Sequence, residues 1–170
     1  MLKGVGDDGR GDVGGDGPED AAAGGARPRH PALALLGRWR LTRRIEDRRA
    51  DQTGAFDGEA VLRQGSDALI WEEEGRLRLG PAETIARRSY LWRLRAPDVA
   101  DIRHHDGRAF HAIALPDFAG GRVAARHDCA PDLYEGLYVF DSADRWRLTW
   151  RVRGPRKDYC MTTEHLRLAP

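Results

Sequence analysis

The stretch Trp146–Tyr159, WRLTWRVRGPRKDY, decides the fold. Its first half alternates without a break: Trp146, Leu148, Trp150 and Val152 fall on one side, Arg145, Arg147, Thr149, Arg151 and Arg153 on the other. Successive side chains of a strand point to opposite faces, so the pattern predicts a long antiparallel strand with one dry and one wet face. Gly154-Pro155-Arg156-Lys157-Asp158 supplies a cationic turn, and the chain returns through Tyr159.

Turn lengths carry the register outward from there. With Val152 opposite Tyr159, Trp150 meets Met161 and Trp146 meets His165. A turn at Asp141–Asp144 pairs Phe140 with Trp146 and so Tyr134 with Val152, with Tyr138 on the same face. A tight turn at Cys129–Asp132 then puts His127 beside Tyr134. If the Pro116–Gly121 loop pairs Leu115 with Val123, His111 stands opposite His127. One inward layer therefore reads His111, His127, Tyr134, Val152, Tyr159, with neighbouring β-carbons roughly 5 Å apart. His104 and Cys129 fall near the same end, and a one-residue slip would turn any of these side chains outward.

The preceding chain has the same grammar. Leu33–Leu36 predicts one helical turn acting as a plug, followed by a strand with Trp39, Leu41 and Ile45 inward. Arg43 shares that parity, so it should pair with an acid or lie near an open end. Phe56, Gly58, Ala60 and Leu62 share a face, as do Tyr90, Trp92 and Leu94. Leu69-Ile70-Trp71 opens a strand that fades into Glu72–Gly75, read as a solvated strand end and turn. Asp106-Gly107 marks a hairpin between Ala100–His104 and Ala109–Leu115. About ten short strands at hairpin spacing, without a long helix, predict an all-β antiparallel up-and-down barrel, with a two-sheet sandwich as the alternative.

Residues 1–31 differ in kind. They hold nine of the chain's 20 glycines and no aromatic residue, which predicts a disordered Gly/Asp-rich tail ahead of a domain over 32–170. The tail has four basic and six acidic side chains, a net of −2, so against the chain's total of +1 the domain carries +3. That near-neutral balance argues against nucleic acid as a partner. No apolar run is long enough for a secretion signal or a membrane span, and two cysteines make no disulfide framework, so a cytoplasmic protein is expected. A homodimer stays open.

The polar layer supports three chemistries. Tyr and His present an apolar body and one polar tip, which suits orientation of a small-molecule ligand inside an apolar pocket. His104, His111, His127, Cys129, Tyr134, Tyr138 and Tyr159 would line it, with Arg156 and Lys157 as a basic rim. The second chemistry is acid–base catalysis by His111, His127 or Tyr134 on a small, perhaps anionic, substrate. The third is haem or metal binding through the same histidines and Cys129, although no ligand spacing such as CxxC or HExxH is present and no metal ligand is assigned. No cofactor follows from the residues. The chain has no Gly-x-Ser-x-Gly, phosphate loop or dinucleotide fingerprint.

The strand-opening Gly37-x-Trp39 is similar to the start of the calycin barrels, the lipocalins, fatty-acid-binding proteins and their relatives. That resemblance implies an up-and-down barrel for small apolar molecules, with Arg167 covering Trp39. The patterns Phe110-His111, His127-x-Cys129-x-x-Asp132-x-Tyr134 and Trp150-x-Val152-x-Gly154-Pro155-x-Lys157-Asp158-Tyr159 resemble an uncharacterised bacterial family, a calycin-like domain of unknown function, over Leu35–Leu168. No activity comes with it.

Overall fold

The structure, a computed structural model, describes residues 29–169 except 96 and 117. The expected disordered tail therefore falls, for residues 1–28, outside the described residues. A 3-10 turn, Pro31–Leu35, precedes ten strands. These are β1 (Gly37–Asp47), β2 (Gln52–Gln64), β3 (Leu69–Leu79), β4 (Ala82–Arg95) and β5 (Val99–His104), then β6 (Ala109–Ala114), β7 (Arg122–Cys129), β8 (Asp132–Ser142), β9 (Arg145–Gly154) and β10 (Lys157–Arg167).

The strands form one antiparallel sheet in the order β6-β5-β4-β3-β2-β1-β10-β9-β8-β7, curled into a nearly closed barrel. Alternation places the registers: Val152 faces Tyr159, Trp150 faces Met161 and Trp146 faces His165 across β9–β10. Tyr134 faces Val152, Phe140 faces Trp146 and His127 faces Tyr134, as the hairpin lengths predict. All five tryptophans are buried, and Trp71 packs against Trp92 and Trp146 at centroid distances of 6.3 and 6.0 Å.

Two expectations need correction. His111 does not stand opposite His127 in a ladder, because β6 and β7 are the two outer strands of the sheet. The loop between them folds elsewhere: Leu115 N donates to Asp98 O, and Gly120 N and Gly121 O bond across to Phe140. In addition, the β5–β6 register shifts by one residue beyond Ile102–His111, so that Arg103 pairs with Ala109 and Phe110 is the extra residue. The second correction concerns Glu72–Gly75. They lie mid-strand in a continuous β3, and Glu73, two residues past Trp71, is buried inside the barrel.

One end of the barrel is sealed. Ala32 and Leu35 of the 3-10 turn are fully buried there, and Trp39 Nε1 donates to Leu35 O at 3.0 Å. The Arg167 guanidinium lies 4.5 Å above the Trp39 ring, as the resemblance implied, and donates to Leu36 O at 2.6 Å and Ala34 O at 2.5 Å. Gly37 stands beside it at φ 128°, a region that side-chain-bearing residues avoid, and a β-carbon there would press on Arg167. His30 Nε2 adds contacts of 3.1 Å to the carbonyls of Arg95 and Val99.

Candidate functional site

The other end is open. Its mouth, about 540 Å³, is walled by apolar residues of β1, β3 and β9 (Ile45, Leu77, Val152) and by a polar arc of His104, His127, Cys129, Tyr134 and Tyr159. Most of that arc is the layer read from hairpin lengths, brought to one rim by the turns that follow β5, β7 and β9. Lys157 braces it from β10. Its ammonium donates to Tyr134 Oη at 2.8 Å and pairs with Asp132 at 2.7 Å, while Gly154, bare of a β-carbon, leaves room for the Asp132 carboxylate. Neither Arg156, exposed on the turn, nor Lys157 lines the mouth itself; the basic side chains that do are Arg88 and Arg108, and Lys157 reaches the site only through Tyr134.

Below the mouth lies a chamber of about 50 Å³. Arg88, Tyr90, Phe110, Trp150 and Met161 line both spaces and form the constriction between them. Phe110 is its central ring, with centroids 4.5 to 5.7 Å from His111, His127, His104, Trp150 and Tyr90. In the chamber, His111 Nε2 and Tyr138 Oη share a hydrogen bond of 2.8 Å. Arg43 satisfies its inward position by pairing with an acid: it grips Glu73 with bonds of 2.9 to 3.1 Å and donates to Thr163 Oγ1 at 2.8 Å. Arg88 Nε approaches the same carboxylate at 3.7 Å. His165, opposite Trp146, lies flat against its indole. Among the described residues, no group of three or more His, Cys, Asp or Glu is placed to hold a metal ion.

Residues 35–167, which run from the last residue of the sealing turn to the end of β10, match the model of a family described as a family of unknown function, DUF6314. The chain belongs to that family. No curated protein matches this DUF6314 chain closely enough to add a comparison. Solved structures share its fold, among them the following two. The S-type phycobiliprotein lyase of Guillardia theta is 9% identical at a TM-score of 0.58, over 81% of this chain and 90% of that one. A protein of unknown function from the DUF3598 family of Nostoc punctiforme is 13% identical at a TM-score of 0.53, over 80% of this chain and 48% of that one. No helix among the described residues is long and apolar enough to cross a membrane.

Burial sets the protonation states inside this DUF6314 barrel. Loss of water pushes His111 down to about 3, with His127 and His104 adding repulsion. Burial also holds His165 well below its usual range, helped by Arg43, and pushes the Tyr138 hydroxyl up. At the rim, burial lowers His104, and burial together with Tyr134 pushes Tyr159 up to about 12. Lys157 is raised by its bonds to Asp132 and Tyr134.

The two buried imidazoles make the fold acid-sensitive. An unfolded His binds its proton near the ordinary value of 6.5, whereas folded His111 refuses it until about 3. Between those limits the unfolded state holds more protons, so stability falls as pH falls, by up to about 1.4 kcal/mol per pH unit for each such group. Urea titrations from pH 7 to pH 4 should show this slope, and His111→Gln should flatten it. An unchanged slope in the variant would remove His111 from the account.

Several lining residues escape a reading of hairpins alone. Glu73 and Arg88 share the inward parity of Trp71 and Tyr90, so strict alternation carried through the charged runs would have found both. Phe110 leaves no such trace, because a bulge overrides parity.

Proposed function

We propose that this barrel is a carrier for a small, ring-bearing molecule that enters through the open end. The single observation behind the reading is the pair of adjoining spaces, a mouth of about 540 Å³ and a chamber of about 50 Å³, which share Arg88, Tyr90, Phe110, Trp150 and Met161 and are walled largely by aromatic and imidazole rings. Pockets of a few hundred cubic ångströms with mostly apolar walls and a few convergent polar groups are the usual form of small-molecule sites. The fold shared with a phycobiliprotein lyase agrees with a barrel built around a ligand. An acid–base enzyme fits less well: an imidazole that protonates at about 3 is a weak base at neutral pH, and His111 is tied to Tyr138. The two cysteines, Cys129 and Cys160, are free, which suits a reducing cytoplasm as the place where the ligand is met.

The test is titration with 1-anilinonaphthalene-8-sulfonate, an aromatic fluorophore small enough for the mouth. One saturable site is expected. Met161→Trp, which places an indole in the constriction, should weaken it at least about tenfold while circular dichroism stays unchanged. Binding that is non-saturable, or indifferent to Met161→Trp, would end the carrier reading.

A further inference from the structure

The chamber beneath the constriction carries more hydrogen-bonding capacity than the chain uses. Trp146 Nε1, His111 Nδ1 and His165 Nδ1 all belong to residues lining it, and all three atoms are buried without a hydrogen-bond partner. Their residues are 3%, 8% and 3% exposed, so bulk water does not satisfy them. Folded proteins leave few buried polar groups unpaired, and three around one small space mark a place where the partner comes from outside the chain. The indole N–H can only donate, so that partner must offer an acceptor; either imidazole nitrogen can donate or accept according to its tautomer.

Size narrows the choice further. A space of about 50 Å³ holds a group no larger than roughly one or two water molecules. The apolar body of a ligand belongs in the mouth, and only a compact end group passes Phe110. We infer that the chamber is a subsite for the hydroxyl or carbonyl oxygen at one end of a ring-bearing ligand, with Trp146 Nε1–H as its obligatory donor. This rests on the carrier reading above. Trp146 thereby takes a second role beside core packing, and the unpaired imidazole nitrogens of His111 and His165 acquire one.

Two probes of nearly equal shape separate the possibilities: 2-naphthol, and 2-methylnaphthalene, which replaces the oxygen with a methyl group. An apolar mouth alone favours the methyl compound. With the oxygen in the chamber, the full-length protein should bind 2-naphthol about tenfold more tightly, the worth of a buried hydrogen bond. Trp146→Phe should abolish the preference and leave 2-methylnaphthalene within about twofold of wild type. Because that indole packs in the core, Leu148→Phe serves as a second variant. Leu148 lines the chamber but not the mouth, and the larger ring should fill the chamber and erase the preference in the same way. If both probes bind wild type equally, the chamber holds only water and the subsite is refuted, while the carrier reading stands. If neither binds, the carrier reading falls and takes the subsite with it.

Discussion

Glu73→Ala should cost about 3–5 kcal/mol of folding stability, a large share of what a domain of this size possesses. The carboxylate is buried and accepts three short contacts from Arg43, whose remaining bond goes to Thr163. Truncating it leaves a guanidinium inside the barrel with no counter-ion, and Arg88 nearby adds a second positive charge. The loss is the cost of a stranded charge rather than the value of the pair. Replacing both partners, Arg43→Met with Glu73→Leu, should therefore recover most of it, because apolar groups need no counter-ion. Equilibrium urea unfolding of the two singles and the double measures the coupling. A loss below about 1 kcal/mol for Glu73→Ala would mean that water reaches the pair and the interior is wetter than the packing indicates.

At the sealed end, Trp39→Ala should cost a similar amount, about 3–5 kcal/mol, by a different mechanism. The indole is fully buried, meets Trp146 edge-on at 5.9 Å, and lies under the Arg167 guanidinium. Its removal opens a cavity that the strand backbones on either side cannot close. The loss also releases the 3-10 turn, which is tied to the indole N–H through Leu35 O. Trp39→Phe separates the two contributions, since it keeps much of the volume and loses only that bond, at about 1–2 kcal/mol. Thermal or urea unfolding decides; near-equal losses for Ala and Phe would show that the tether, not the packing, holds this end together.

What could be read in advance, and what could not, follows from the range over which each interaction acts. The registers of β7 through β10 were legible because each depends on one turn length and an unbroken alternation, as with Trp150 facing Met161. The same local logic brought His127, Tyr134 and Tyr159 to one rim. It also required an acid for Arg43 but did not say which one. Glu73 is 30 residues away and Thr163 is 120, and both meet Arg43 only once the sheet has curled. Phe110 was hidden for the opposite reason: a single extra residue reverses parity locally, and nothing in Ala109–Ala114 announces it. Leu115 and Val123 looked like hairpin partners because loops usually join neighbours, but here the loop bonds to Phe140 instead.

The absence of a ladder between β6 and β7 gives the barrel the mechanics of a split ring rather than a hoop. A hoop can widen only by breaking backbone hydrogen bonds around its circumference. Here the ends of the strip, β6 and β7, are held by side chains such as Phe110 against His127, 4.9 Å apart. Opening the ring at that point costs van der Waals contacts and leaves the bonded ladders intact. The girth of the lumen at that seam is thus set by the rings at the clasp and by the loop that joins the two strands, not by a backbone ladder.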